Sequence, residues 1–288
     1  MGATRTLLCS TGTMVSKYNG YDFRRAIRHI SSFVSDGLCD GAELMMLPFY
    51  YDKTDAVIRA FEELGVRVPV THCEKQVGTL LSDAGAAAEN DAGLAAEILA
   101  EAEEAFRLNC ETAARAGSGS MVLHLWGGLN SDSHVEYNAD VLGGLIDTAG
   151  EYGIKLLIKN VPCTTHDPLT NWRSLGHHLS RCGLVFDTRF AGFHRQIGET
   201  LTDPAVVRRI CHVHIGDFRG EPGDFSSLRP IYQPGEGIVD FPLVSKLLDK
   251  IGYRGSVTLE SPAMSGSGVV AAALRQSLKY IGGLMCGR

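Results

Sequence analysis

The sequence predicts an α/β fold, a single (β/α)8 TIM barrel over residues 1–288. Three observations predict it. Short apolar runs alternate with longer amphipathic stretches along the chain, the pattern of a parallel sheet built from crossover units. The units number eight, and 288 residues divided by 8 is 36 per unit, near the roughly 250-residue size of such barrels with modest insertions. No linker, low-complexity tract or charge run marks a second domain. An open doubly wound sheet is the alternative. No G-x-G-x-x-G follows the first strand, which argues against its dinucleotide-binding version.

The strands are placed in order at 6–9, 42–46, 66–72, 121–125, 155–159, 184–187, 212–215 and 256–260. The helices between and after them are placed at 23–34, 56–64, 89–116, 139–152, 175–181, 204–210, 242–251 and 269–285. Spacing carries the helices. In the seventh, Phe241, Val244, Leu247, Leu248 and Ile251 fall on one face. Asp240 caps it, Pro242 sits in its first turn and Gly252 follows its end. Asp203-Pro204 opens the sixth in the same way.

Composition removes several classes. Lys and Arg total 27 against 33 Asp and Glu, a net charge of −6, which disfavours binding to phosphate backbones and so to nucleic acid. Hydrophobic residues at 44% and charged residues at 21% suit a packed core rather than disorder. The 8 cysteines form no C-x-x-C, and several lie in apolar runs such as Leu7-Leu8-Cys9. They read as reduced core thiols. The start, Met1-Gly2-Ala3-Thr4-Arg5-Thr6, leads into too few apolar residues for a signal peptide, and no apolar run is long enough for a membrane span. The reading is a cytoplasmic protein with no membrane partner. A homodimer is the general prior.

What ends each strand is informative, because active sites of these barrels lie at the C-terminal mouth. Strand three ends at His72 and strand four at His124. Strand five ends at Lys159-Asn160, strand six at Asp187, strand seven at His214 and Asp217, and strand eight at Glu260. One such residue alone caps a helix or pairs with a neighbour more often than it works. Their convergence on one predicted face points to a shared site, with donors suited to Zn, Mn or a similar divalent ion. Trp126 is an apolar wall for a sugar ring or a cover for the rim. Arg219 meets a phosphate or carboxylate, or pairs with Asp217. Arg229 is a similar anion candidate, and the His177-His178 pair reads as surface.

The run Gly235-Glu236-Gly237-Ile238-Val239-Asp240-Phe241-Pro242, then Ile251-Gly252-Tyr253-Arg254-Gly255 and Val257-Thr258-Leu259-Glu260, resembles the xylose isomerase-like barrels. These include sugar phosphate isomerases/epimerases and ketose 3-epimerases. His212-Val213-His214-Ile215-Gly216-Asp217, Phe186-Asp187-Thr188 and Val122-Leu123-His124 extend the resemblance over nearly the whole chain. It implies one divalent ion, Mn, Zn or Mg, held through a Glu on strand five and, by position, Asp187, His214 and Glu260. It also implies that the glutamates move protons next to a carbonyl that the ion polarises.

The chain departs from that pattern at strand five, Leu156-Leu157-Ile158-Lys159-Asn160, where lysine replaces the carboxylate. An ammonium is no metal ligand unless deprotonated, so Lys159 weakens the metal expectation: either it takes over the charge role of the ion, or Asp187, His214 and Glu260 still hold one as three ligands plus water. A second departure is Phe190, where the family often has histidine; His194 is the substitute. The Asp-x-His pair of apurinic-site endonucleases is replaced by Arg229-Pro230-Ile231, against a DNA-repair site. The leading expectation is an isomerase or epimerase acting on a small polyhydroxylated carbonyl compound. Glu260 is its base, Lys159 its cation, and His72 and His124 bind hydroxyls. A metal-independent lyase or aldolase-type enzyme using Lys159 is the alternative. A third reading is a non-catalytic sugar-binding protein on a degenerate barrel.

Overall fold

A computed structural model of the chain describes residues 5–288. The expectation drawn from the first four residues lies outside the described residues. Eight parallel strands close one barrel in sequence order: β1 (Thr6–Ser10), β2 (Gly41–Met45), β3 (Val70–His72), β4 (Ser120–Leu123), β5 (Lys155–Lys159), β6 (Gly183–Asp187), β7 (Ile210–Ile215) and β8 (Ser256–Leu259). β8 pairs with β1, Leu7 opposite Val257, and so completes the ring.

Around them lie α1 (Phe23–Ser35), α2 (Thr54–Glu63), α3 (Lys75–Ala88), α4 (Ala92–Arg115), α5 (Val135–Glu151), α6 (Pro168–Ser174), α7 (Thr188–Phe193), α8 (Ile197–Thr200), α9 (Phe241–Lys250) and α10 (Ala271–Met285). A two-residue hairpin, β9 (Met264–Ser265) and β10 (Gly268–Val269), precedes α10. No helix of the described residues is long and apolar enough to cross a membrane. All eight cysteines are free, and only Cys211 is not fully buried.

Strand periodicity sorts the side chains. Leu8, Val70, Val122, Leu157 and Val185 form a small cluster inside the barrel. Their strand neighbours, such as Leu7, Cys9, Met121, Leu123, Leu156 and Ile158, belong to the large core between sheet and helices. Two residues further along each strand, the inward positions reach the mouth. Ser10, His72, His124, Lys159, Asp187, His214 and Glu260 occupy that level.

Several expected elements differ. The third strand begins at Val70, not residue 66, because Val66 N–H still closes the end of α2 on Phe61 and Pro69 has no N–H to donate. The helix expected at 175–181 is a 3-10 turn, Gly176–Ser180, following the true helix α6. The helix expected at 204–210 reduces to a 3-10 turn, Val207–Arg209. Asp203 does accept from the N–H groups of Ala205 and Val206, but the chain enters β7 at Ile210 before a helix can propagate.

Candidate active site

The site is built from strand ends. Lys159 closes β5, and its Nζ lies 2.5 Å from Glu260 Oε2 and 2.9 Å from Asp187 Oδ2. Asp187 closes β6 and also accepts from Phe190 N–H at the start of α7. Asn160, next to Lys159, ties the two strand ends together. It donates to Asp187 O at 3.1 Å and accepts from Asp187 N–H at 2.6 Å. Glu260 follows β8, and its N–H bonds Ile215 O on β7. His214 Nδ1 stands 3.1 Å from Glu260 Oε2.

His72 closes β3 and His124 follows β4, the neighbour of β5, so the two continue the wall beside Lys159. The His72 ring is 5.7 Å from that of His214 and 5.0 Å from that of His124. His72 Nδ1 lies 2.7 Å from Cys73 O, so that nitrogen carries the proton and Nε2 presents a lone pair. Nε2 is 3.8 Å from Glu260 Oε1 and has no hydrogen-bond partner; His124 Nε2 has none either. Gly78 of α3 lets the helix approach here, since a Cβ there would fall 2.3 Å from His124 O.

Beneath this level lies a residue that the sequence reading passed over. Glu43 of β2 is fully buried inside the barrel. Its Oε2 accepts from Thr258 at 3.0 Å and lies 2.8 Å from His212 Nε2 and 2.9 Å from His214 Nε2. The available signal was a lone carboxylate in the otherwise apolar Gly41-Ala42-Glu43-Leu44-Met45.

The charges follow from these contacts. Burial pushes the Lys159 ammonium down, but Asp187 and Glu260 outweigh it and raise the group above the usual lysine value. Burial raises the Glu260 carboxyl, yet Lys159 and His214 hold it well below the usual carboxylate range. Burial lowers His214, while Glu43 and then Glu260 bring it up to about 9. For His72 burial outweighs the nearby Glu260 carboxylate and pushes it down to about 3; burial also holds His124 well below the ordinary value. At neutral pH Lys159 is therefore an ammonium, Glu260 a carboxylate and His214 an imidazolium, while His72 and His124 are neutral imidazoles.

Three expected site residues stand elsewhere. Trp126 is not a wall of the mouth; it is fully buried in the core outside the barrel. His194 does not replace a mouth ligand; its Nε2 accepts from Cys163 N–H at 3.2 Å and its ring packs edge-on against Phe193. Arg219 is exposed and pairs neither with Asp217 nor with the mouth. Its guanidinium donates to Glu236 O and lies over the Tyr232 ring. Asp217 is a brace: its buried carboxylate accepts from the N–H groups of Phe218, Gly235, Gly237 and Val239. A Cβ on Gly237 would lie 2.2 Å from Phe218 O, which explains that glycine.

A family model described as xylose isomerase-like TIM barrel matches residues 36–282, and the chain belongs to that family. Curated relatives match over shorter segments. A rhizopine catabolism protein, MocC, of Rhizobium meliloti is 34% identical over 97 residues, 28% of either chain. An inosose dehydratase of Serratia proteamaculans is 31% identical over 119 residues, 35% of this chain and 39% of that one. These matches thus span well under half of the relatives' length. Among solved structures, D-allulose 3-epimerase from Methylomonas sp. in complex with D-allulose superposes with TM-score 0.70 at 16% identity, covering 98% of both chains. The IolI protein with a bound zinc atom superposes at 0.65 and 19% identity, over 96% of this chain and 95% of that one.

A family ion would need Asp187, His214 and Glu260 to face a common point. Here that point is taken by the Lys159 ammonium, within hydrogen-bond reach of both carboxylates. The family's ligand set therefore does not fit an ion at that position. Two other groups, Glu43/His212/His214 and His72/His214/Glu260, have donor atoms near enough to hold one. In the first, Glu43 already takes both imidazoles.

Proposed function

We propose that the mouth is the active site of a sugar isomerase or epimerase that removes the proton next to a carbonyl of a small polyhydroxylated substrate. One observation carries this reading: Lys159 binds Glu260 and Asp187 at once, so a fixed cation and an ionised carboxylate share one cavity. That cavity measures ≈ 70 Å³ and is lined in part by Gly12, Lys159, Asp187, Phe190 and Glu260.

The roles follow. Glu260 is the most open member, its side chain 13% exposed, and both Lys159 and His214 approach Oε2. Oε1 is left to take the substrate proton. Two N–H bonds of Lys159 go to Glu260 and Asp187; the third is available for the carbonyl oxygen. As the C–H bond breaks, its electrons pass into the enediolate, and the negative oxygen is stabilised by the ammonium. In an isomerisation the proton of the adjacent hydroxyl passes to the enediolate oxygen, and Glu260 returns its proton to the former carbonyl carbon, leaving the new carbonyl on the neighbouring carbon. His72 and His124, both neutral, accept hydrogen bonds from substrate hydroxyls.

A dehydratase outcome shares the first step and then expels a β-hydroxyl as water. The inosose dehydratase likeness favours keeping it as the second reading. A Schiff base on Lys159 is disfavoured, because a doubly ion-paired ammonium has no lone pair to attack a carbonyl. The test is proton NMR of ketoses and inososes in D2O. Enzyme-dependent deuterium uptake next to the carbonyl, lost by at least ~100-fold in Glu260→Gln, is expected. No exchange across the panel would sink the reading.

A further inference from the structure

The mouth cavity is lined by five ionisable side chains: Lys75, Lys159, Asp187, Arg189 and Glu260. Lys159 pairs with both carboxylates. Lys75 and Arg189 are then left over, and among the described residues neither has an acidic group within salt-bridge distance. Arg189 is held in place without being neutralised. Its guanidinium stacks 4.4 Å from the centre of the Phe190 ring and donates to Leu228 O at 3.4 Å. Lys75 opens α3 on the other side of the mouth and is exposed. Its sequence neighbour Glu74 is itself buried, and its carboxyl, raised by burial, lies beside the Tyr51 hydroxyl.

Lys75 also borders a second cleft of ≈ 370 Å³, which shares Gly12 and Met45 with the mouth cavity and continues past Val15, Met46 and Leu47. Lys75 thus borders both spaces, and Arg189 borders the mouth cavity around Lys159. Three cations against two carboxylates leave the cavity lining with an excess of one positive charge, on a chain of net charge −6, and the two cations outside any ion pair are a local field that favours an anion. Lys and Arg are the side chains that bind phosphate and carboxylate groups with charge-assisted hydrogen bonds.

We propose that Lys75 and Arg189 form an anion-binding rim, and that the ligand is a polyhydroxylated carbonyl compound carrying a phosphate or carboxylate group. The carbonyl half of this statement rests on the function proposed above; the anionic half rests on the two cations.

Calorimetric titration with D-ribulose, D-ribulose 5-phosphate, 5-keto-D-gluconate and inorganic phosphate tests it. At least one of the two charged sugars should bind about 10-fold more tightly than D-ribulose, the size of one charge-assisted hydrogen bond. Preference for the phosphate ester or for the sugar acid separates the two anion sources. Lys75→Gln and Arg189→Gln should each weaken the preferred anion about 10-fold and leave D-ribulose binding unchanged. Equal affinity for neutral and charged sugars, an equal loss for both in the variants, or no binding of any anionic probe would overturn the rim. Anion binding without deuterium exchange would overturn the proposed reaction and leave the rim standing.

Discussion

Lys159 Nζ and Glu260 Oε2, from residues 101 positions apart, lie 2.5 Å from each other at the barrel mouth. The pair is one link in a row of alternating charge: Glu43, His214, Glu260, Lys159 and Asp187. Each member except the two ends touches two groups of opposite sign. Isolated, any of these charges would be costly to bury. Together they make a line in which each charge faces its opposite, running from the barrel interior to the mouth cavity.

The first prediction concerns the inner end. Glu43 Oε2 serves His212, His214 and Thr258. Glu43→Ala strands both imidazoles and should destabilise the fold by ~3 kcal/mol or more. Glu43→Gln keeps an acceptor of the same shape and should cost about 1–2 kcal/mol. Urea unfolding of the three proteins checks the order; equal stabilities would remove Glu43 from the network.

The second is a pH profile of stability. His214 is raised by its carboxylates to about 9 in the fold, against 6.5 for a free imidazole. Its stabilising contribution is complete below pH 6.5 and is lost as pH rises through 9. His72 is lowered by burial to about 3, so its contribution is complete above 6.5 and is lost as pH falls toward 3. Glu260, held low by Lys159 and His214, adds to the loss on the acid side. Stability should peak near neutral pH and fall on both sides. Urea midpoints across that range check it, and Glu43→Gln should flatten the alkaline limb.

The third concerns Asp217. Four backbone N–H groups converge on its carboxylate. Asp217→Ala leaves them without a buried acceptor and should cost roughly 3 kcal/mol. Thermal unfolding measures it. A loss below about 0.5 kcal/mol would show that water replaces the carboxylate.

Much of this was legible in the sequence. Strand ends such as Lys159, Asp187 and Glu260 were readable because an apolar run followed by a polar residue has one geometric meaning in a barrel. α3 was not, because Gly78, Ser82 and Gly85 dilute its apolar face, although Val77, Leu80, Leu81 and Ala84 keep helical spacing. Glu43 was hidden because an acidic residue within a strand usually faces solvent, and only closure of the barrel turns it toward His212 and His214. Asp217 and the Gly235-Glu236-Gly237 run were visible as a motif, but their mutual hydrogen bonds link segments that no local pattern relates. Trp126 misled for another reason: β4 ends at Leu123, so the alternation that turns its residues inward no longer governs the chain at Trp126, which turns into the core.

The last prediction is the charge reversal Lys159→Glu. The native ammonium supplies the cation that Asp187 and Glu260 need. The substitution removes it and brings a third carboxylate to the same point. Without an ion, three like charges and His214 are left in a buried cluster, and the fold should lose ~3 kcal/mol or more. With Mn²⁺ or Zn²⁺ the same residues become the ligand set of a divalent site, oxygen donors plus one imidazole. The variant should therefore regain thermal stability as the ion is added, by an amount that grows with the logarithm of its concentration. The native chain should show little such shift, since the ion must first displace Lys159 from both carboxylates. Melting curves with and without each ion, and calorimetry on both proteins, decide it. Native protein that binds either ion at this point as tightly as Lys159→Glu would show that the ammonium swings away readily and does not hold the place of the ion.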